Sequence, residues 1–147
     1  MANQSPPKPG STPSLPCLCA AVRKAGRRLT RHYDRRLEPS GLKITQFSML
    51  ANINRNPGLT VSDLAGLLVM DQTTVTRNLG VLVREGYVRL EPAETDRRVK
   101  RVYISGPGAA KLAQARPWWD QAQREVEETL GRQGAEGLLA ILGKLAE

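Results

Sequence analysis

The hydrophobic pattern of this chain changes its period near residue 86, and this change restricts the fold more than any other feature. Between residues 45 and 85 the apolar residues recur at three- and four-residue steps, which is typical of amphipathic helices. From Tyr87 to Leu90 and from Val99 to Ile104 the residues are rich in β-branched and aromatic types with a period of two, which is typical of strands. Short helices followed directly by a hairpin predict a mostly α-helical fold with a small β-hairpin.

The helices that precede the hairpin carry recognisable signals at their ends. The first begins at Leu18 and stops at the Pro39-Ser40-Gly41 break. A second helix is predicted over residues 45–55 with Thr45 as its N-cap, and a third begins after Thr60, which is also a good N-cap.

The fourth helix follows Asp71, whose carboxylate can accept a hydrogen bond from the amide of Thr73 or Thr74. Two more helices are predicted after the hairpin, over residues 109–130 and 133–146. The order of elements is therefore three helices, a short turn, a fourth helix, a hairpin, and a helical C-terminal region.

Residues 1–16 hold five of the ten prolines and almost no large apolar side chains, which predicts a flexible Pro-rich leader. The length of 147 residues fits one compact domain over residues 17–147. No apolar run approaches the ~18 residues that a membrane-spanning helix needs, and the N-terminus lacks the pattern of a secretory signal. We therefore expect a cytoplasmic protein with no membrane partner.

Few residues in this chain are suited to metal or catalytic chemistry. Cys17 and Cys19 are too few for a disulfide scaffold, and with His32 they supply at most three nitrogen or sulfur ligands, whereas a structural zinc site needs four. His32 is not accompanied in the sequence by clustered carboxylates or a nucleophile. We expect no metal, no cofactor and no enzymatic activity.

The distribution of charge is more informative. The chain carries a net charge of +8, and residues 1–60 alone hold 10 basic and 2 acidic side chains. Such an excess indicates a polyanionic partner, either nucleic acid or an acidic membrane surface. It is also compatible with a solvated basic helix, because Arg23, Arg27, Arg31 and Arg35 follow one another at four-residue steps along the first helix.

The predicted order of elements is that of a helix-turn-helix followed by a wing. In this arrangement the second helix of the motif enters the major groove of DNA and its first residues meet base edges. Here those residues are polar and include an amide, hydroxyls and a guanidinium. Arg97 and Arg98 at the hairpin tip suit a minor groove, because an arginine on a narrow ribbon can enter it.

The stretch LAGLLVMDQTTVTRNLGVLVREGYVRLEPAETDRRVKRVYISGPG resembles the MarR family of winged helix-turn-helix transcriptional regulators. The matching motifs are TVTRNL in the recognition helix, EGYV at its exit and DRR in the wing. The resemblance implies a homodimer in which residues 17–44 and 106–147 supply the dimerisation helices and residues 45–105 the winged helix-turn-helix. The residues assigned to DNA are Gln72, Thr73, Thr74, Thr76, Arg77, Asp96, Arg97 and Arg98. Among them, Asp96 corresponds to a positioning acid, expected to form an ion pair, and Arg98 to the wing arginine.

Family members also bind small aromatic or lipophilic effectors in a crevice between the dimerisation helices and the winged domain. The candidate wall residues are Val22, Leu29, Tyr33, Phe47 and Leu50, with Trp118 or Trp119. The same residues are also what a dimer core needs, and the sequence favours that structural role.

Cys17 and Cys19 are candidate redox-sensing thiols, since some relatives sense oxidants through a cysteine early in the first helix. Two thiols at the start of a helix beside Arg23 and Lys24 would also favour the reactive thiolate. The alternative is that both are small apolar side chains packed in a dimer interface.

The sequence thus predicts a sequence-specific, double-stranded-DNA-binding transcriptional regulator, a repressor released by a small ligand or by thiol oxidation. Its operator would be pseudo-palindromic. The alternative is a winged-helix protein-interaction module without sequence-specific DNA binding.

Overall fold

The computed structural model describes residues 15–147, so the predicted leader lies almost wholly outside the described residues. The helices and strands are α1 (Leu18–Leu37), a 3₁₀ turn (Glu38–Ser40), α2 (Ile44–Arg55), β1 (Leu59–Thr60), α3 (Val61–Leu68), α4 (Gln72–Arg84), β2 (Val88–Pro92), β3 (Lys100–Ile104), α5 (Gly106–Leu130) and α6 (Arg132–Ala146). The predicted mostly α-helical fold with a β-hairpin is confirmed.

One hydrophobic core joins α2, α3, α4 and the sheet to the C-terminal end of α1 and the N-terminal half of α5. Each helix from α2 to α4 contributes the apolar side of its 3.6-residue pattern, and the strands contribute Val88 and Val102. The fully buried large side chains include Leu37, Met49, Leu50, Ile53, Leu64, Val75, Leu79, Leu82 and Val102. Helix α4 is therefore held on a packed base rather than on a loop.

The sheet has three antiparallel strands in the order β1-β3-β2, one more than the sequence predicted. In the hairpin, Val88 pairs with Ile104 and Leu90 with Val102. The extra strand β1 pairs Leu59 with Val102 on the other side of β3. Two residues are too few to show an alternating pattern, so only the tertiary pairing with β3 defines this strand.

The start of α2 differs from the prediction. Lys43, not Thr45, is the N-cap, and Thr45 lies within the first turn of the helix. The side chain of Gln46 accepts a hydrogen bond from the Lys43 amide at 2.8 Å, and Asp34 of α1 accepts one from the Ile44 amide at 2.8 Å. These two acceptors satisfy amides that a helix start leaves free, so the boundary lies earlier than the Thr45 signal indicated.

Helix α5 begins against the backbone of the hairpin. Ser105 caps it, since its hydroxyl accepts a hydrogen bond from the Gly108 amide at 3.0 Å. At Gly108 a β-carbon would lie 2.0 Å from the carbonyl oxygen of Tyr87, so only glycine fits there. The helix then continues through Pro117 to Leu130.

The terminal helices are largely uncovered in a single chain. Residues 18–31 of α1 are all exposed, and no residue of α6 is buried. Only the end of α1 packs on α5, where Arg36 contacts Glu125 through two atom pairs at 2.8 and 2.9 Å. No helix within residues 15–147 is both long and apolar enough to cross a membrane.

Candidate nucleic-acid interface

The turn before α4 is stabilised by Asp71. Its carboxylate accepts hydrogen bonds from the Thr74 amide at 2.8 Å and from the Thr74 hydroxyl at 2.7 Å. These bonds favour the ionised form and therefore lower the pKa of Asp71. The predicted cap is confirmed, and of the two threonines considered its partner is Thr74. The hydroxyl of Thr74 is consequently engaged within the protein.

The helix that braces α4 has a reciprocal cap. The Thr60 hydroxyl accepts a hydrogen bond from the Asp63 amide at 3.0 Å, and the Asp63 carboxylate accepts one from the Thr60 amide at 3.1 Å. The hydrogen bonds with Thr60 lower the pKa of Asp63. From α4, Gln72 Nε2 donates a hydrogen bond to Ser62 Oγ at 3.2 Å, which ties the two helices of the motif together.

Helix α4 separates into a buried face and an exposed polar face. Val75, Leu79 and Leu82 enter the core, as the sequence predicted. Thr73, Thr76, Arg77 and Gly80 follow at three- and four-residue steps and are all exposed, so they share one face. Gly80 adds no side chain there, so the surface beside Arg77 is unobstructed.

The wing tip is a hydrogen-bonded turn built around Asp96. Its carboxylate accepts a hydrogen bond from the Arg98 amide at 3.0 Å, and its carbonyl oxygen accepts one from the Val99 amide at 3.0 Å. Within residues 15–147 Asp96 forms no salt bridge. The prediction of an ion pair for Asp96 is therefore wrong. Asp96 instead shapes the wing tip through hydrogen bonds with the backbone of its own turn.

The arginines of the wing fall into two groups. Arg89 contacts Glu91 at 2.7 Å and lies over the Tyr103 ring, and Arg101 donates a hydrogen bond to the carbonyl oxygen of Gly58 at 2.8 Å. These two side chains hold the sheet together. Arg97 and Arg98 are exposed and make no salt bridge with any described residue.

Lys100, at the start of β3, is a further exposed cation near the wing tip. Lys100 lies within the predicted strand from Val99 to Ile104, so it is not among the residues that the sequence assigned to DNA. In the structure Lys100 pairs with Pro92 at the end of the hairpin, next to the wing loop.

The five predicted crevice residues do not line one crevice within a single chain. Phe47 and Leu50 are buried in the core, whereas Val22 and Leu29 are exposed on the outer turns of α1. Tyr33 lies between these groups and donates a hydrogen bond to Gln123 of α5. Burial, followed by the nearby Glu127 carboxylate, raises the pKa of Tyr33.

The two tryptophans also differ. Trp119 stacks on Phe47 with ring centroids 5.7 Å apart, and Arg116 lies over its ring at 4.8 Å. Trp118 is exposed. Trp119 therefore extends the aromatic contact between α2 and α5, next to Tyr33 at a centroid distance of 6.4 Å.

The two cysteines lie at the start of α1. Cys17 is the N-cap, and its sulfur accepts a hydrogen bond from the Ala20 amide at 3.5 Å, while Cys19 lies in the first turn. Both thiols are free and exposed. Cys17 thus precedes the regular helix, and its carbonyl oxygen accepts a hydrogen bond from the Ala21 amide at 3.1 Å. In the described part of the chain, no group of three or more His, Cys, Asp or Glu residues could hold a metal ion.

A helix-turn-helix followed by a two-stranded wing places this chain in the class of winged-helix proteins. A model of the MarR family matches residues 40–99. The transcriptional regulator MosR of M. tuberculosis, in complex with DNA, is 41% identical, with a TM-score of 0.78 over 89% of this chain and 96% of that chain. The chain belongs to the MarR family.

Two other relatives extend the comparison. The transcriptional repressor CouR, bound to a 23-mer DNA duplex, is 26% identical, with a TM-score of 0.82 over 89% of this chain and 93% of that chain. The transcriptional activatory protein BadR of Rhodopseudomonas palustris is 32% identical over 77 residues. That match covers 50% of this chain and 44% of BadR, so it spans less than half of that regulator.

Proposed function

We propose that this protein is a sequence-specific, double-stranded-DNA-binding transcriptional regulator that acts as a homodimer in the cytoplasm. The observation that carries the proposal is the exposed polar face of α4 together with two exposed arginines at the wing tip that form no salt bridge with any described residue. A helix of this kind fits the major groove, and a narrow arginine-bearing ribbon fits the adjacent minor groove. MosR and CouR, which share this fold, have been solved with DNA.

The hydrogen bonds of the site suggest a division of roles among its residues. Gln72 and Thr74 are engaged with Ser62 and Asp71, so they orient α4. Thr73, Thr76 and Arg77 are exposed on one face of α4, and we assign them to base edges and nearby phosphates. Arg97 and Arg98 are assigned to the minor groove and its phosphates, with Asp96 shaping their turn.

The homodimer is proposed because α1 and α6 expose apolar side chains that one chain leaves uncovered. The exposed residues are Leu18, Val22, Leu29, Leu138, Leu139, Ile141 and Leu145. Burying such a surface against a second copy is favourable in proportion to the apolar area removed from water. A two-fold dimer would present two copies of α4, which fits a pseudo-palindromic operator with half-sites about one helical turn apart.

Repression and release are proposed as the regulatory cycle. A small aromatic or lipophilic effector would bind near Tyr33 and Trp119, where α1, α2 and α5 meet. Alternatively, a hydroperoxide would oxidise Cys17 and Cys19 to a disulfide and be reduced to an alcohol, with release of water. Because Cys17 lies outside the helix, closing this disulfide requires only the first turn of α1 to unwind.

The decisive experiment is selection of bound sequences from a random duplex library, followed by titration of the selected DNA with scrambled competitor. Arg77→Gln is expected to change the selected sequence, because an α4 side chain contacts base edges. Arg84→Gln, in the last turn of the same helix, is the matched control and should select the wild-type sequence.

A wing variant tests the second half of the interface. Arg98→Ala is expected to weaken binding to all sequences alike and to reduce the salt slope by about one per lost phosphate contact, hence by about two for a dimer. If no sequence is enriched and both variants bind like wild type, the proposal fails and the protein-interaction module becomes the better explanation.

Thiol regulation is tested on the selected DNA. Mild peroxide is expected to release the wild-type protein, while Cys17→Ser and Cys19→Ser variants should remain bound. Release that persists in both variants would refute the disulfide mechanism and leave the small-molecule effector as the proposed signal.

A further inference from the structure

The corner between α1 and α2 is braced by a side chain from α1. The carboxylate of Asp34 accepts a hydrogen bond from the backbone amide of Ile44, ten residues later in the chain, at 2.8 Å. Ile44 is the first residue of α2, so Asp34 satisfies one of the amides that a helix start leaves free. The helix dipole also favours a carboxylate at this end of a helix. Asp34 therefore acts on α2 as a capping residue does, although it belongs to another helix.

The segment that joins the two helices is itself held by hydrogen bonds. Ser40 is buried, and its hydroxyl donates to the Leu37 carbonyl oxygen at 2.6 Å and accepts from the Leu42 amide at 3.3 Å. Gly41 has a φ of 76°, and its amide donates to the Glu38 carbonyl oxygen at 2.9 Å. Together with the carboxylate contact, these bonds restrict the angle between α1 and α2.

The last turns of α1 are also fixed on α5. Arg36 contacts Glu125 at 2.8 Å, and Leu37 is completely buried. Residues 18–31 are exposed throughout, so the corner is the place where α1 leaves the packed part of the chain. The direction of the exposed turns relative to the winged region is therefore decided at the corner.

The start of α2 faces α4 across a narrow cleft. The volume of this cleft is about 130 Å³, and its walls include Lys43 and Met49 on the α2 side and Asn78 and Leu82 on the α4 side. Met49 and Leu82 are buried in the common core. Because a closely packed core transmits displacements, a tilt of α4 moves the start of α2 as well. The orientation of α4 is thus linked, through α2, to the carboxylate on α1.

We propose that Asp34 is a positioning residue that fixes the orientation of α4 relative to α1 and thereby selects the spacing of the two half-sites in the operator. This inference rests on the dimeric DNA-binding mode proposed above, in which each copy of α4 enters one half-site. One additional base pair between the half-sites separates them by about 3.4 Å more and rotates one relative to the other by about 35°. A braced corner resists this change, whereas a corner without the Asp34 contact can follow it.

Duplexes with altered spacing test this role. The selected operator is compared with duplexes in which one base pair is inserted or removed between the half-sites. The spacing ratio is the Kd for the altered duplex divided by the Kd for the selected operator, both measured by fluorescence anisotropy at one salt concentration. In Asp34→Ala this ratio should fall by about 5- to 30-fold, because one helix cap is worth a factor of about five and a dimer contains two. A merely structural role would weaken binding to all duplexes alike and leave the ratio unchanged.

Three further variants complete the test. Asp34→Asn should restore the ratio, because the amide oxygen of asparagine can still accept the hydrogen bond from Ile44. Glu38→Ala is the matched control, since it removes the same charge from the same corner but Glu38 is exposed and forms no salt bridge with any described residue. Its ratio should stay within about twofold of the wild-type value. Ser40→Ala loosens the corner at a second point and should lower the ratio, which keeps the test decisive if circular dichroism shows that Asp34→Ala is unfolded.

The outcomes separate this inference from the proposed function. A wild-type chain that selects no sequence overturns both. A wild-type chain that selects a sequence, with the same spacing ratio in Asp34→Ala and Ser40→Ala as in the wild type, overturns the positioning role alone. Equal binding of the wild type to all spacings also overturns that role, because a braced corner must discriminate. A ratio that is lowered in Asp34→Ala, restored in Asp34→Asn and unchanged in Glu38→Ala establishes it.

Discussion

Val69 ends α3 in a conformation that costs folding free energy. Its φ of 51° and ψ of 47° place it in the left-handed region, and it is the one non-glycine residue with positive φ among residues 15–147. A β-carbon in this region clashes with the following carbonyl oxygen, at a cost of roughly 1–2 kcal/mol. Because the side chain is 72% exposed, removing it sacrifices little packing. We therefore expect Val69→Gly to stabilise the protein.

The expected size follows from two opposing contributions. Relief of the left-handed strain contributes roughly 1–2 kcal/mol, and the greater freedom of glycine in the unfolded chain costs roughly 0.5–1 kcal/mol. The difference spans roughly 0–1.5 kcal/mol, so the free energy of unfolding should rise by about 0.75 kcal/mol at the midpoint of this range. For a chain of this length, that corresponds to a rise in Tm of about 2–3 °C. Differential scanning calorimetry measures the change, at one fixed protein concentration because the proposed dimerisation would make Tm depend on concentration.

Val69→Ala is the matched control. It removes the branched side chain but keeps the β-carbon, so it should retain most of the strain and change Tm by less than half as much. If Val69→Gly leaves Tm unchanged or lowers it, or if the alanine variant gains as much, then strain at the turn is not the cause and this reasoning is refuted.

Three further changes test the core, the entry to α5 and the α1–α5 contact. Leu50→Ala removes a fully buried side chain, so the free energy of unfolding should fall by roughly 2–5 kcal/mol. Urea titration measures this change, and a loss below about 1 kcal/mol would contradict the described core. Gly108→Ala should lower the free energy of unfolding by more than about 1 kcal/mol, because the new β-carbon would lie 2.0 Å from the Tyr87 carbonyl oxygen. An unchanged Tm would contradict that close approach. The hydrogen bond from the Arg36 side chain lowers the pKa of Glu125 below the ordinary value of a glutamate. Since the folded pKa is the lower one, this contribution to stability is present above the unfolded pKa and is lost as pH falls through the folded pKa. The urea concentration at half-unfolding should therefore fall less steeply in the Glu125→Gln variant than in the wild type as the pH is lowered from about 5. Identical pH profiles for the two proteins would argue against the contact between Arg36 and Glu125.

The winged region could be predicted from sequence because its signals are local. The cap of α4 joins Asp71 to Thr74, three residues away, and the cap of α3 joins Thr60 to Asp63 over the same distance. The buried face of α4 follows from a periodic pattern. Interactions between residues three or four apart depend mainly on the local backbone, so the sequence shows them directly.

Two features that sequence reasoning missed depend on residues that are not near neighbours in the chain, and a third is a local choice between possible partners. Strand β1 exists because Leu59 meets Val102, and the start of α2 shifted because Asp34 reaches the Ile44 amide. The expected ion pair of Asp96 was replaced by a hydrogen bond within its own turn. In each case several partners were chemically acceptable, and only the folded geometry selected one.

The sequence by itself therefore determined the order of the helices, the hairpin, the caps of the motif and the polar face of α4, since these follow from periodicity and short-range hydrogen bonds. Only the tertiary structure decided which crevice candidates are core, which wing arginines form no salt bridge, and which turns of α1 are left exposed. Those properties depend on burial and on contacts between distant elements, which a pattern along one chain does not contain.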